Sequence, residues 1–273
     1  MFGTNTPRKQ DLSQGSHLDV QEIFYTIQGE GPYAGMPAVF IRLWGCNLRC
    51  YFCDTDFESH LQHLMVDRIL LEVMRVASRK PGLVVITGGE PFRQNLVPLI
   101  RLLLEQDILV QIETAGTLWV EGLEIFRYAW YQDLLTLVCS PKTGSVNRKI
   151  QEYCRDWKFL IQEGAISEVD GLPIMSTQDS DSKRGRIGLF RPHCSPEHIW
   201  LQPCEAYKVE YKKPISLPES GSVSESDLLR DQVITSALRD FVQTQRNIRL
   251  CGALAMKYGY RVSLQLHKIL ELP

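Results

Sequence analysis

Short apolar runs alternate with amphipathic segments along most of the chain. Six apolar runs predict buried strands, at residues 38–44, 82–87, 108–113, 134–138, 157–162 and 198–202. Apolar residues at helical spacing predict helices at residues 64–80, 95–106 and 146–153. Because each helical crossover returns the chain in the same direction, alternating strands and helices build a parallel sheet. The pattern therefore predicts an α/β fold.

Other stretches interrupt this alternation. Residues 1–18 are polar and predict a disordered tail ahead of a core domain at 19–273. Residues 163–197 lack a clear period and predict an insertion loop, and the Ser, Glu and Pro content of residues 214–227 predicts a polar linker. The remaining predicted elements are a β-rich run at 20–28, a long helix at 228–258 and a last strand at 261–266.

Composition limits the class of protein. The 273 residues are 44% hydrophobic, enough for one large domain with a full core. A net charge of −2 gives no basic face, so nucleic-acid binding is not expected. No apolar stretch is long enough to span a membrane, and the first residues do not resemble a signal peptide. We therefore expect a cytoplasmic protein whose eight cysteines are ligands or core residues.

The segment at 44–56, WGCNLRCYFCDTD, carries the strongest chemical signal. Its Cys46, Cys50 and Cys53 can reach one metal centre from a single loop at little loop-closure cost. A structural zinc ion and a ferredoxin-type cluster each use four protein ligands. A 4Fe–4S cluster held by three cysteines instead leaves one iron open for a reactant. The alternative is a zinc loop with a remote fourth ligand from Cys139, Cys204 or a histidine.

Polar or glycine-rich motifs follow the predicted strands. They are Gly88-Gly89-Glu90-Pro91, Thr114-Ala115-Gly116, Ser140-Pro141-Lys142 and Gln202-Pro203-Cys204-Glu205. The carboxyl ends of parallel strands are where α/β barrels place their chemistry. Glu90 can bind an ammonium, whereas Lys142 can bind a carboxylate or ribose hydroxyls or be a solvated surface lysine. Arg42, inside an apolar run, needs either an anionic ligand or a structural salt bridge.

The cysteine spacing, with Phe52 before the third cysteine and GGEP further along, resembles the radical SAM superfamily. In that superfamily the open iron binds the amine and carboxylate of S-adenosylmethionine (SAM). Electron transfer from the cluster then cleaves SAM to methionine and a 5′-deoxyadenosyl radical, which abstracts hydrogen from a substrate.

A closer resemblance rests on FYTIQGEG, CDT after the cysteines, ITGGEP, IETAGT, CSPK and the terminal SLQLHKILELP. Together these motifs resemble the 7-carboxy-7-deazaguanine synthase family. The resemblance implies a partial, open (β/α)6 TIM-like barrel of the radical SAM type with loop insertions. It implies a lyase of queuosine and deazapurine biosynthesis that converts 6-carboxy-5,6,7,8-tetrahydropterin to 7-carboxy-7-deazaguanine with release of ammonia.

The same resemblance implies cofactors and partners. The cofactors are a 4Fe–4S cluster, SAM and Mg2+, and the substrate is a small pterin. The family is commonly a homodimer, and its electron donor is a flavodoxin or a ferredoxin. The chain departs from the family pattern at Ala115, where Asn is expected, and at Cys204, where Met is usual.

Residue roles follow from the resemblance, position by position. Cys46, Cys50 and Cys53 would hold the cluster, and Thr55 would ligate Mg2+. The implied SAM contacts are Phe52, Cys53, Asp54, Gly88, Gly89, Glu90, Gly116, Ser140, Pro141, Lys142, Gln202, Pro203, Cys204 and Glu205. The implied pterin contacts are Ile27, Gln28, Gly29, Arg42, Thr114, His267 and the terminal carboxylate of Pro273.

Two other functions stay open at this level. A glycyl-radical-enzyme activating enzyme shares the cysteine spacing and GGEP, but acts on a protein glycine and needs neither a pterin pocket nor Mg2+. The second of these functions is a zinc-binding module without catalytic activity. The insertion at 163–197 has three candidate roles: a lid, a docking site for the electron donor, or an inert insertion, which we favour.

Overall fold

A computed structural model describes residues 5–11, 13–53, 55–127, 131, 133–178, 188–212 and 233–273. Eleven strands lie in these ranges: β1 (His17–Ile27), β2 (Pro37–Leu43), β3 (Gln62–Met65), β4 (Leu83–Gly88), β5 (Leu109–Thr114), β6 (Leu135–Cys139), β7 (Asp156–Ile161), β8 (Ile199–Pro203), β9 (Tyr207–Lys212), β10 (Val233–Arg239) and β11 (Arg261–Val262). Nine of them form one sheet in the order β11-β8-β7-β6-β5-β4-β2-β1-β3.

The centre of this sheet is parallel. Strands β2, β4, β5, β6, β7 and β8 pair in parallel one after another, and β11 joins β8 in parallel. Strands β1 and β3 continue the other edge in antiparallel pairing. The six consecutive parallel strands from β2 to β8 and the open edges confirm the prediction of a partial, open barrel, and the carboxyl ends of these six strands lie on one side.

Five α-helices accompany the sheet in the described residues: α1 (Val66–Val76), α2 (Val97–Glu105), α3 (Arg148–Tyr153), α4 (Phe241–Tyr258) and α5 (Leu266–Ile269). Helix α1 buries Val66, Ile69 and Val73, which lie on one face at the spacing that the sequence predicted. These side chains pack in one core cluster with the outer faces of the central strands. Among the described residues, no helix is long and apolar enough to cross a membrane.

The last third of the chain differs from its prediction. Strand β10 occupies Val233–Arg239, where a helix was predicted, and pairs with β9 in antiparallel register. The β-branched residues of VITS favour a strand. Helix α4 then begins at Phe241, because the Asp240 carboxylate accepts a hydrogen bond from Gln243 N at 3.1 Å. The predicted linker at 214–227 lies outside the described residues.

Three element bounds also differ. Strand β3 takes the first positions of the helix predicted at 64–80, because it extends the sheet beside β1. The last strand is only two residues long, and α5 follows it. Strand β1 begins at His17, inside the predicted tail.

The described residues before β1 lie on the cysteine loop. Arg8 N donates to Cys46 O at 2.8 Å, and Asn5 Nδ2 donates to Leu48 O at 2.8 Å. The guanidinium of Arg8 lies 4.1 Å from the centroid of the Trp44 ring. These contacts attach residues 5–11 to the cysteine loop, and the disordered tail at 1–18 stays a prediction.

The insertion packs against helix α4 at its described residues. Tyr258 donates from its hydroxyl to Glu168 O at 2.9 Å, and Arg191 pairs with Asp170 at 2.6 Å. Leu172 is 2% exposed, so this part of the insertion extends the core.

Candidate functional site

The cysteine loop is seated directly on the end of β4. Gly89 N donates to Leu43 O at 3.2 Å, and Glu90 N donates to Gly45 O at 3.1 Å. A Cβ atom at Gly89 would lie 2.0 Å from Gly45 O, and one at Gly88 would lie 2.2 Å from Leu43 O. Only glycine permits this approach, so the pair of glycines positions the three cysteines relative to the sheet.

Glu90 joins two of the predicted motifs. Its buried carboxylate accepts hydrogen bonds from Thr114 Oγ1 at 2.7 Å, Ala115 N at 2.8 Å and Phe92 N at 3.0 Å. Burial raises the pKa of Glu90 above its usual value, although these donors and Lys142 oppose the shift. The structure thus shows Glu90 and Thr114 binding each other. Their contacts with SAM and the pterin ring stay predictions.

The three cysteines form no disulfide bonds, and Cys50 and Cys53 are close enough to Cys46 to affect its pKa. Burial raises the pKa of Cys46 to about 12, and nearby Glu90, Cys50 and Cys53 add to the rise. Leu48 N donates to Cys46 Sγ at 3.4 Å. Three unbridged thiols on one loop, one buried and two partly exposed, fit a metal cluster, which binds cysteines as thiolates.

A zinc site would need a fourth protein ligand beside the three cysteines. Of the proposed fourth ligands, Cys139 is fully buried beneath Gly116, where an added Cβ would lie 2.6 Å from its Sγ.

Lys142 lies beside the cysteine loop and is not a solvated surface lysine. Its Nζ donates to Ser140 Oγ at 2.5 Å and is 5.9 Å from the centroid of the Phe52 ring. Burial lowers the pKa of Lys142, while the nearby Cys50 and Cys53 favour its charged form. The motif after β6 and the cysteine loop therefore share one space.

A buried ion cluster lies on the inner face of the sheet. Lys158 pairs with Glu30, and its Nζ is 3.0 Å from Glu113 Oε2. Burial opposes charge on Lys158, but the two carboxylates outweigh it and hold the pKa of Lys158 above its usual value. Burial likewise opposes charge on Glu30, but Lys158 holds the pKa of Glu30 below its usual value. The cluster therefore carries two carboxylates against one ammonium.

Four glutamine side chains surround this cluster. Gln202 Nε2 and Gln265 Nε2 donate to Glu30 Oε1 at 3.0 and 2.9 Å. Gln28 Nε2 and Gln111 Nε2 donate to Glu113 Oε1 at 3.0 and 2.9 Å. Because a carboxylate accepts only, these bonds fix which end of each amide is the oxygen. Two of these oxygens, on Gln111 and Gln202, are buried and have no hydrogen-bond partner among the described residues.

The end of the chain closes over the same region. Thr26 Oγ1 donates to the Pro273 oxygen at 2.9 Å, and Leu266 N donates to Gly29 O at 3.3 Å. A Cβ at Gly29 would lie 2.3 Å from His267 Nδ1, so only glycine allows the tail to pack there. The structure thus places His267 against Gly29 and Pro273 beside Thr26, and their contacts with the pterin stay predictions.

A second ion pair ties the tail to the motif after β8. Lys268 Nζ lies 2.7 Å from Glu205 Oε2, which also accepts a hydrogen bond from the Tyr207 hydroxyl. Glu205 therefore anchors the tail, and Gln202 belongs to the ion cluster. Their implied SAM contacts stay predictions.

Arg42 has a partner inside the chain. Its Nε lies 2.6 Å from Glu22 Oε1 on β1, and its guanidinium is 5.5 Å from the centroid of the Phe24 ring. Arg42 shares the face of β2 with Phe40, which packs in the interior cluster of the sheet. The salt bridge satisfies the charge, so binding of an anionic ligand by Arg42 stays a prediction. Asp54 lies outside the described residues.

The sequence interpretation missed Glu30, Glu113 and Lys158. The signal that singled out Arg42 was available for two of them, since Glu113 and Lys158 also interrupt apolar strand patterns. Glu30 lies in the QGEG motif that was noted for another reason. The contact between Glu30 and Lys158 could not be predicted from the sequence, because 128 positions separate the two residues.

Comparison with known proteins agrees with this geometry. Residues 43–159 match the model of the Radical SAM superfamily. The 7-carboxy-7-deazaguanine synthase of Rhodospirillum rubrum is 37% identical over 273 residues, covering 100% of this chain and 100% of that protein. The enzyme of the same name from Halobacterium salinarum is 42% identical over 262 residues, 93% of this chain and 90% of that protein.

A solved structure supports the fold. The crystal structure of QueE from Escherichia coli superposes with a TM-score of 0.59 at 23% sequence identity and covers 91% of this chain and 94% of that chain. The full-length match to the R. rubrum enzyme confirms the family resemblance inferred from the motifs. This chain belongs to the 7-carboxy-7-deazaguanine synthase family of radical SAM proteins.

Proposed function

We propose that this chain converts 6-carboxy-5,6,7,8-tetrahydropterin to 7-carboxy-7-deazaguanine with release of ammonia. The observation that carries the substrate assignment is the acceptor-rich ion cluster of Glu30, Lys158 and Glu113. The cluster lies beside Gly29, and the glutamines around it carry two buried amide oxygens that have no hydrogen-bond partner in the described part of the chain. Unpaired buried acceptors cost free energy, and a ligand with N–H donors would remove that cost.

A reduced pterin matches this demand. One edge of its ring carries an amino group and ring N–H groups arranged like a guanidine, which donate hydrogen bonds to carboxylates, amide oxygens and backbone carbonyls. The excess negative charge of the cluster favours such a donor edge over an anionic one. The substrate carboxylate would lie at the other side, where Arg42 is paired with Glu22. Arg42 could exchange Glu22 for this carboxylate as the substrate enters.

The radical chemistry belongs to the cofactors, for which the cysteines provide the site. A 4Fe–4S cluster on Cys46, Cys50 and Cys53, with SAM bound, would supply the 5′-deoxyadenosyl radical that abstracts hydrogen from the substrate. The protein orients the substrate and SAM and shields the radical from solvent. Lys142 and Ser140 line the space beside the cysteine loop, where they can bind the polar groups of SAM. The protonated Lys158 holds the pKa of Glu30 below its usual value and forms an ion pair with Glu113.

Further parts of the proposal rest on family resemblance. Thr55, on the cysteine loop, would ligate Mg2+ together with substrate oxygens and so hold the ring geometry. A homodimer in the cytoplasm, reduced by a flavodoxin or a ferredoxin, completes the proposal. The glycyl-radical activase is not favoured, because the relatives named above are 7-carboxy-7-deazaguanine synthases.

Anaerobic turnover tests the proposal. Reconstituted protein is incubated with reductant, SAM and the carboxypterin, with and without Mg2+, and the deazaguanine product and ammonia are quantified. We expect both products, at a higher rate with Mg2+. Iron-loaded protein that cleaves SAM but forms no deazaguanine would contradict the substrate assignment.

A variant tests the observation behind it. Gln111→Leu removes a donor to Glu113 and an acceptor that has no partner among the residues that the structure describes. We expect the Michaelis constant for the pterin to rise about tenfold, as expected for the loss of roughly one good hydrogen bond. The affinity for SAM, measured by calorimetry on the same protein, is expected to stay unchanged. Equal losses for both ligands would refute the assignment.

A further inference from the structure

The insertion reaches the cysteine loop at Thr177 and Gln178. Thr177 N donates to Lys142 O at 2.9 Å, and Tyr51 N donates to Thr177 O at 3.4 Å. Cys50 and Gln178 form an isolated antiparallel bridge. The backbone of the insertion is therefore attached to both the cysteine loop and the motif after β6.

Two side chains of this segment donate toward one cysteine sulfur. Thr177 Oγ1 and Gln178 Nε2 each lie 3.2 Å from Cys50 Sγ. The orientation of the Gln178 amide is determined, because its Oε1 accepts a hydrogen bond from Arg49 N at 2.9 Å. The amide NH2 group must therefore face the sulfur.

The Thr177 hydroxyl has a choice of acceptors. Its Oγ1 is also 3.2 Å from Lys142 O. The sulfur of a cysteine that ligates a cluster carries negative charge and is a stronger acceptor than a neutral carbonyl, so the hydroxyl would donate to the sulfur rather than to Lys142 O when the cluster is bound. Thr177 is 8% exposed, and this burial shields the bond from water.

Hydrogen bonds to ligand sulfurs change the redox behaviour of iron–sulfur clusters. Reduction adds negative charge to the cluster and its thiolates, so a donor at the sulfur stabilises the reduced state more than the oxidised state. Removing such a donor makes reduction harder. Cys46 Sγ receives its bond from the backbone of its own loop, whereas the side-chain donors at Cys50 come from the insertion.

We propose that Thr177 and Gln178 raise the reduction potential of the cluster through their hydrogen bonds to the Cys50 sulfur. This inference rests on the proposed function, because it requires the cluster on the three cysteines. The insertion, favoured as inert from sequence, then has a role as a source of outer-shell donors.

The test is a potentiometric titration of the reconstituted, full-length protein with dithionite, followed by the EPR signal of the reduced cluster. The variants are Thr177→Val, Gln178→Leu and the double variant. We expect the double variant to be about tenfold harder to reduce, a midpoint about 59 mV lower, and each single variant to account for part of this shift. Thr177→Ser keeps the hydroxyl and is expected to retain the wild-type potential.

Controls separate this role from a structural one. Ser167→Ala changes an exposed turn of the same insertion, away from the cysteine loop, and is expected to leave the potential unchanged. Iron and sulfide contents are measured for each protein. If the double variant does not hold a full cluster, the midpoint potentials of the two single variants test the inference.

The outcomes are distinct. Variants that hold a full cluster at the wild-type potential overturn the inference and leave the proposed function standing. A wild-type protein that forms no reducible iron–sulfur cluster would refute the proposed function itself.

Discussion

Replacing Lys158 by methionine tests the buried ion cluster most directly. Lys158 lies with its side chain 9% exposed between Glu30 and Glu113. Methionine has a similar length and fills most of the space. The substitution therefore removes the charge with little loss of packing, and leaves two buried carboxylates with no cation between them.

The expected cost follows from this geometry. Removing one partner of a buried ion pair destabilises a protein by about 3–5 kcal/mol, since the remaining charge stays in a medium of low dielectric. For a domain of this size that corresponds to a melting temperature lower by roughly 10 °C at pH 7. Lys149→Met is the matched control, because Lys149 is exposed and pairs with Glu124 at the surface. We expect only a small shift for it.

The effect must depend on pH in a defined direction. The pKa of Glu30 lies below its usual value in the folded wild type, so its stabilising contribution is present above about pH 4.5 and decreases as the pH falls through the folded-state pKa. The raised pKa of Lys158 gives a contribution that is complete below about pH 10.5. In the variant, acid protonates the Glu30 carboxylate that has lost its ammonium partner. The difference between wild type and variant should therefore narrow from pH 7 toward pH 4.

Thermal unfolding followed by circular dichroism at several pH values measures the difference in stability between the wild type and Lys158→Met. Adding Glu30→Gln to Lys158→Met removes one of the two remaining carboxylates and returns the formal net charge of the cluster to its wild-type value. The double variant should therefore be more stable than the single one at pH 7. A difference that does not change with pH, or a double variant no more stable than the single, would show that charge is not what the cluster contributes.

Three further predictions concern the site. Gly89→Ala brings a Cβ to 2.0 Å from a backbone carbonyl of the cysteine loop, so we expect the loop to shift and iron incorporation to fall severalfold, measured as iron per chain. Arg42→Ala should weaken pterin binding more than SAM binding by calorimetry; Glu22→Gln, which keeps the arginine, should not, and equal losses of both ligands in Arg42→Ala would argue against its role. One residue added after Pro273 should disturb the hydrogen bond between Thr26 Oγ1 and the Pro273 oxygen and so damage turnover without lowering the melting temperature; full activity would remove this contact from the mechanism.

Much of the architecture was readable from local pattern. The apolar runs predicted the parallel strands, because a strand buried on both faces has few polar positions. The motif after each run predicted which residues share the carboxyl edge, and the structure places Glu90, Ala115 and Lys142 there, around the cysteine loop. The failures were also local. Residues 233–239 were assigned to a helix, because the helical pattern of α4 was extended too far toward the N-terminus.

What the sequence by itself determined is the chemistry available in each short segment: three cysteines on one loop, two glycines at a strand end, and a proline at the terminus. Only the tertiary structure decided which of these groups meet. Glu30 and Lys158 are 128 positions apart, and Thr177 and Cys50 are 127 apart. The physical reason is that periodicity and spacing act over a few residues, whereas a buried charge or a sulfur acquires its partners from the register and curvature of the whole sheet.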